Sequence, residues 1–170
     1  MQAKLQVQPL GSHHNRADFC CGVEALDNYL KKHAGQDVKK RVAAAFVLTP
    51  DGTTIAGYYT LSQFSVDLGI LPHEIARTLP KYPRMPATLI GRLAVSTRFH
   101  RQRLGEFLLM DALHRSLTLS KQIASAAVIV DIKDDRGRSF YQKYGFLELP
   151  SIPNRLFLPM ATIERLFQRP

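Results

Sequence analysis

Four residues placed directly ahead of a helical run, Arg101, Gln102, Arg103 and Gly105, have the chemistry to hold phosphate. The stretch HRQRLGEFLLMDAL passes from basic and amide residues into a helix pattern without a gap. The first turn of a helix leaves backbone N–H groups without partners, and its dipole favours an anion there. Converging amides cradle phosphate oxygens. Gly105 permits close backbone approach, and Arg101 and Arg103 can add charge-assisted bonds. An ordinary solvated loop with a helix start accounts for the same residues, so this spacing alone leaves both readings open.

The elements that must position this turn can be read around it. ATLIGRLAVS, immediately before it, is apolar on both sides of its pleat and reads as a central strand. After it, Leu108, Leu109, Ala112, Leu113 and Leu117 recur at helical spacing from Gly105 to about Leu119. QIASAAVIVDI reads as a second buried strand, and DDRGRSFYQKYGF as a short helix stopped by Gly145. Upstream, KLQVQPL alternates like a strand, and GVEALDNYLKKHA places Val23, Leu26 and Leu30 on one helical face. RVAAAFVLTPDGTTIAGYYTLSQFSV reads as a hairpin around Pro50-Asp51-Gly52. Pro72, Pro80, Pro83 and Pro86 make the next segment a loop with at most a short helix. NRLFLPM is a last strand and ATIERLF a last helical turn. The order predicts an α/β (α+β) fold, a mixed sheet with helices on both faces.

The 170 residues suit a single domain over residues 1–170, and 45% hydrophobic with 22% charged residues is ordinary for a globular chain. No apolar run approaches the roughly 20 residues that span a bilayer. The N-terminal stretch has no apolar core of a secretory signal, so no membrane partner and a cytoplasmic location are expected. Cys20 and Cys21 are adjacent, which is not a disulfide framework, and no His or Cys clustering suggests a metal site. At least one of the two is expected to be a buried structural residue. A net charge of +9 favours an anionic partner: a nucleic acid, a phosphorylated cofactor or an acidic protein. The densest basic cluster is Lys31, Lys32, Lys39, Lys40 and Arg41, for which a solvated helix face and RNA contact serve equally well.

LIGRLAVSTRFHRQRLGEFLLMDAL resembles the acetyl-CoA-binding segment of the GNAT acetyltransferase superfamily, and DDRGRSFYQKYGF resembles its second conserved segment. The superfamily signature, Gln/Arg-x-x-Gly-x-Gly/Ala, aligns with His100 to Gly105. Gly105 matches, His100 replaces Gln or Arg, and Arg103 replaces the first glycine. FCCGVEALDNYL and AAAFVLTPDGTTIAGYYTLS extend the resemblance to the GNAT-type toxins of bacterial toxin–antitoxin pairs, along nearly the whole chain. It implies the GNAT fold, with a central, mainly antiparallel mixed sheet. It also implies acetyl-CoA as cosubstrate with no metal, aminoacyl-tRNA as acceptor, a ribbon-helix-helix antitoxin and a homodimer.

The same resemblance implies roles for individual residues. The backbone of Leu93, Ala94 and Val95 would pair with the pantetheine arm. The amides of Arg101, Gln102, Arg103, Leu104, Gly105 and Glu106 would take the pyrophosphate. Tyr141 matches the tyrosine of the family's FY motif and would protonate the thiolate leaving group as general acid. Asp134 stands where relatives contact the cofactor arm, and an Asp there is equally a helix N-cap.

No base is placed by a motif; His73, Glu74, His100 and Glu106 are candidates by type only. An α-amine, with a pKa of about 7.7–8.0, needs a base less than a lysine amine at about 10.4. RNA contacts are expected from the basic cluster, from Lys81 and Arg84, and from Arg92, for which a sheet-face ion pair is the alternative. Other acceptors, a protein or small-molecule amine, and a non-catalytic binding role are the competing readings.

Overall fold

The computed structural model describes residues 4–168. Seven strands form one sheet in the order β1-β2-β3-β4-β5-β7-β6. They are β1 (Gln6–Pro9), β2 (Ala44–Thr49), β3 (Gly57–Asp67), β4 (Arg84–Val95), β5 (Ala127–Asp131), β6 (Leu147–Leu149) and β7 (Ile152–Pro159). The helices are α1 (Glu24–Asn28), α2 (Ala34–Lys39), α3 (His73–Ala76), α4 (Leu104–Leu119), α5 (Asp135–Lys143) and α6 (Met160–Gln168). β4, expected to be central, has three strands on either side, and its pairing with β5 is parallel. The pairings β1–β2, β2–β3, β5–β7 and β6–β7 are antiparallel. The chain packs as two compact units. One holds the residues up to Ser62 together with Gly91–Ala112; the other holds Gln63–Ile90 and the residues from Leu113 onward.

In the first unit, β2 and β3 form the hairpin read from Pro50-Asp51-Gly52. The Asp51 carboxylate ties its loop by accepting from the Thr53 and Thr54 amides and the Thr54 hydroxyl, which holds its pKa down at about 2. Successive side chains of a strand point to opposite faces, and β3 shows what that does here. The Tyr58 hydroxyl donates to the Leu26 carbonyl of α1 at 2.7 Å, whereas the Tyr59 hydroxyl donates to Asp111 of α4 at 2.5 Å. Helices therefore cover both faces, as expected. Phe19, Tyr29, Leu30, Ala34, Val47, Ile55, Tyr58 and Ala94 make up the core on the Tyr58 side.

α1 and α2 are joined by a π-helical turn, Tyr29–His33. The wider turn shifts the phase of the apolar face, so Leu30 and Ala34 are fully buried while Val23, expected on that face, caps α1 and is 45% exposed. α2 ends at Arg41, which takes a left-handed φ of 61°, and the Val42 amide bonds back to the Asp37 carbonyl. That is the ordinary glycine ending of a helix carried out by an arginine.

In the second unit, Val66, Ala87, Ile129, Leu149 and Phe157 form the core. A bidentate Arg155–Asp131 pair laces β7 to β5. Two expectations shift here. β4 begins at Arg84 and includes Pro86, whose carbonyl accepts from the Ala126 amide even though it has no N–H to give. β6 lies between α5 and β7, too short for an alternating pattern to show.

Candidate active site

The turn after β4 is held from several sides. The Ser96 amide bonds to the Ala56 carbonyl and the Thr97 amide to the Cys20 carbonyl, both at 2.8 Å. A 3-10 turn, Thr97–Phe99, follows. His100 Nε2 then donates to the Val95 carbonyl at 2.9 Å, closing the turn back onto the strand. The residue that departs from the superfamily signature thus has a structural task, and its ring is not free to act as a base.

Arg101 and Arg103 take φ values of 66° and 57°. A non-glycine residue in this region costs roughly 1–2 kcal/mol, because Cβ crowds the following carbonyl. Arg103 stands where the signature has glycine, and its backbone keeps the left-handed form glycine adopts freely. Left-handed residues in succession turn their amides to one side and build an anion-binding concavity. The first helical bond of α4 runs from the Phe107 amide to the Arg103 carbonyl, so the amides of Leu104, Gly105 and Glu106 lie ahead of the ladder. Leu104 is buried at 6% exposure and anchors the start, while Arg101, Gln102 and Arg103 are exposed. Arg103→Gly should raise stability by about 1 kcal/mol, or about 2–4 °C in melting temperature. An unchanged or lower melting temperature would show that the arginine side chain offsets its own strain.

The strand ahead of the turn is ready to present its backbone. β4 pairs with β5 only through Thr88, Leu89 and Ile90, then runs on to Val95 beyond the end of that ladder. Ala94 is buried, and Leu93 and Val95 are half-buried. Gly57 of β3 fixes this end closely: a Cβ there would stand 2.9 Å from the Ala94 carbonyl oxygen and 2.7 Å from Leu108 Cδ1.

Asp134 and Tyr141 belong to the second unit. Asp134 is extended and accepts a 2.8 Å hydrogen bond from the Gly137 amide, so it caps α5. Gly145, at φ 95°, ends the helix as expected. Tyr141 is locked by edge-to-face contacts with Phe140 and Phe146 at 5.1 and 5.2 Å. Desolvation pushes its pKa above the ordinary tyrosine value, so the phenol keeps its proton at neutral pH. Among the described residues nothing hydrogen-bonds its hydroxyl. A protonated, unengaged phenol is an acid in waiting.

Lys31 and Lys32 lie on the π-helical turn, Lys39 ends α2, and Lys40 and Arg41 follow it; all five are exposed. Arg92 has neither an ion pair among the described residues nor a free side chain. Its guanidinium lies over the Tyr29 ring, 3.4 Å from the centroid. This corrects the ion-pair alternative; Tyr29 was not visible as its partner because nothing in the sequence links a helix residue to a strand so far along. Arg84 faces Asp67 at 3.4 Å, and Lys81 is exposed. His73 and Glu74 lie exposed on α3. Cys20 is exposed, while Cys21 is half-buried and desolvation raises its thiol to about 11, so it is no thiolate at neutral pH. No group of three His, Cys, Asp or Glu among the described residues could hold a metal ion.

No family model matches the chain. It is 36% identical over 173 residues to the probable toxin TacT of Sinorhizobium fredii, covering 96% of both chains. It is 32% identical over 142 residues to the tRNA-acetylating toxin of Mycobacterium tuberculosis, covering 84% of each. The chain belongs to the GNAT-type acetyltransferase toxins. The fold agrees: the toxin AtaT complexed with acetyl-methionyl-tRNAfMet superposes with a TM-score of 0.89 at 27% identity, over 97% of this chain and all of that one. AtaT has also been solved in the AtaTR complex with acetyl-CoA, and bound to the C-terminus of the antitoxin AtaR. Family membership explains why a GNAT turn survives here with an arginine at a glycine position.

Proposed function

We propose that the chain is the toxin of a toxin–antitoxin pair, an acetyl-CoA-dependent N-acetyltransferase that acetylates the α-amino group of aminoacyl-tRNA and so blocks translation. The observation that carries this reading is the left-handed backbone at Arg101 and Arg103, which preserves an amide cradle ahead of α4. Acetyl-CoA supplies the activated acetyl thioester. The amides from Arg101 to Glu106 hold the pyrophosphate, with the Arg101 and Arg103 side chains adding charge. The β4 backbone at Leu93, Ala94 and Val95, beyond the β5 ladder, pairs with the pantetheine arm. Tyr141 gives its proton to the departing thiolate. An aminoacyl α-amine is largely neutral near pH 7, so no dedicated base is required. Lys31, Lys32, Lys39, Lys40 and Arg41 attract the RNA backbone, an interaction that weakens steeply with salt. The antitoxin is of ribbon-helix-helix type, the active form is a homodimer, and the site of action is the cytoplasm.

The deciding experiment incubates the protein with labelled acetyl-CoA and a pool of charged tRNA, beside the same pool deacylated. Label is expected only in the charged pool. Transfer to neither, with acetyl-CoA still bound, would move the search to protein and small-molecule amines.

A further inference from the structure

Gly91 is an exposed glycine on the central strand of the sheet. Glycine inside a strand weakens it and marks a place where another group comes close. A Cβ at Gly91 would stand 3.0 Å from Thr60 Oγ1, with nothing else within 4 Å outside its chain neighbours. The missing side chain leaves a notch with a hydroxyl at its floor.

That hydroxyl is unusual. Thr60 is only 1% exposed, and no hydrogen bond to it is found among the described residues. No side-chain oxygen sealed from solvent lacks a partner there either, so the small opening of Thr60 falls at Oγ1. Burying a hydroxyl without a partner costs about 1–3 kcal/mol, which a bound N–H would recover.

The next residue is Arg92. Its guanidinium is fixed flat on Tyr29, whose hydroxyl donates to Asp37 at 2.8 Å and whose ring stacks on Tyr58. Stacking occupies the face of the guanidinium and leaves its in-plane N–H donors to a ligand. The acetyl-holding stretch Leu93–Val95 follows at once.

We infer that the notch over Gly91 is the acceptor subsite of the transferase, an inference that rests on the function proposed above. The Thr60 hydroxyl accepts a hydrogen bond from the α-amino N–H and points the nitrogen lone pair away from itself. Arg92 donates to the neighbouring ester carbonyl. An acceptor for N–H beside a donor for C=O matches an α-amino ester, in which amine and carbonyl share one carbon. A lysine side chain carries no carbonyl next to its amine and satisfies only half of the pair. Thr60 is a positioning residue and not a base, since its hydroxyl does not ionise at neutral pH.

Thr60→Val removes the hydroxyl at constant shape, and Thr60→Ser keeps it. Steady-state acetylation is measured with a panel of α-amino acid methyl esters and, separately, with charged tRNA. Thr60→Val should raise KM for both acceptors by about tenfold, leave acetyl-CoA affinity and melting temperature unchanged, and be rescued by Thr60→Ser. Gly91→Ala, which fills the notch, should lose more. An unchanged KM in Thr60→Val on either acceptor overturns the subsite. Esters acetylated without tRNA by the unaltered protein would remove RNA from the proposed function, while the Thr60 comparison on esters still decides the subsite. Transfer to neither acceptor overturns both.

Discussion

Tyr141→Phe should lower kcat about 100-fold while acetyl-CoA affinity and thermal stability stay unchanged. The substitution keeps the ring against Phe140 and Phe146 and deletes only the hydroxyl, which no described residue hydrogen-bonds. Stability therefore has little to lose. The rate loses the proton that must reach the leaving thiolate. Because burial raises the phenol's pKa above its ordinary value near 10, Tyr141 stays protonated through the working range. The rate of the unaltered enzyme should show no fall between pH 7 and about 9 from ionisation of this group. A Tyr141→Phe rate equal to the parent would remove the phenol from the chemistry.

Gly105→Val should weaken acetyl-CoA binding by on the order of 100-fold. A branched side chain beside the cradle pushes the pyrophosphate off amides whose charge-assisted bonds are worth about 1.5–3 kcal/mol each. Valine is no worse than glycine for helix stability, so the apo protein should melt no lower. The thermal stabilisation that acetyl-CoA gives the parent should disappear, because it follows the ratio of ligand concentration to Kd. Calorimetry showing an unchanged Kd would place the phosphates elsewhere.

Much of this was legible before any coordinates, and the pattern of what was not is instructive. Leu108, Leu109, Ala112 and Leu113 are fully buried, because a long regular helix carries its periodicity in plain view. The cap at Asp134 and the stop at Gly145 were readable because capping is local chemistry. Val23 was misplaced because a π-helical turn changes the period in the middle of a helix, and no residue type announces one. β6 was missed because three residues are too few to alternate. At the turn, position 105 could be read from its type. The left-handed backbone of Arg101 and Arg103 could not, since arginine gives no sign of it. Arg92 on Tyr29 and Thr60 beneath Gly91 are pairs made by strand registry across long stretches of chain, and composition does not record registry.

The way the two compact units share the chain bears on synthesis. Neither is one uninterrupted stretch: the first is complete only at Ala112, after the second has begun at Gln63. β5 then waits for its antiparallel partner β7, Ile152–Pro159, which leaves the ribosome after the helix bearing Tyr141. A nascent chain therefore carries its catalytic tyrosine before it carries the strand that supports the sheet beneath it. A transferase that attacks charged tRNA is made by a ribosome surrounded by its own substrate. This threading keeps the growing polypeptide inert until translation of its own message is nearly over.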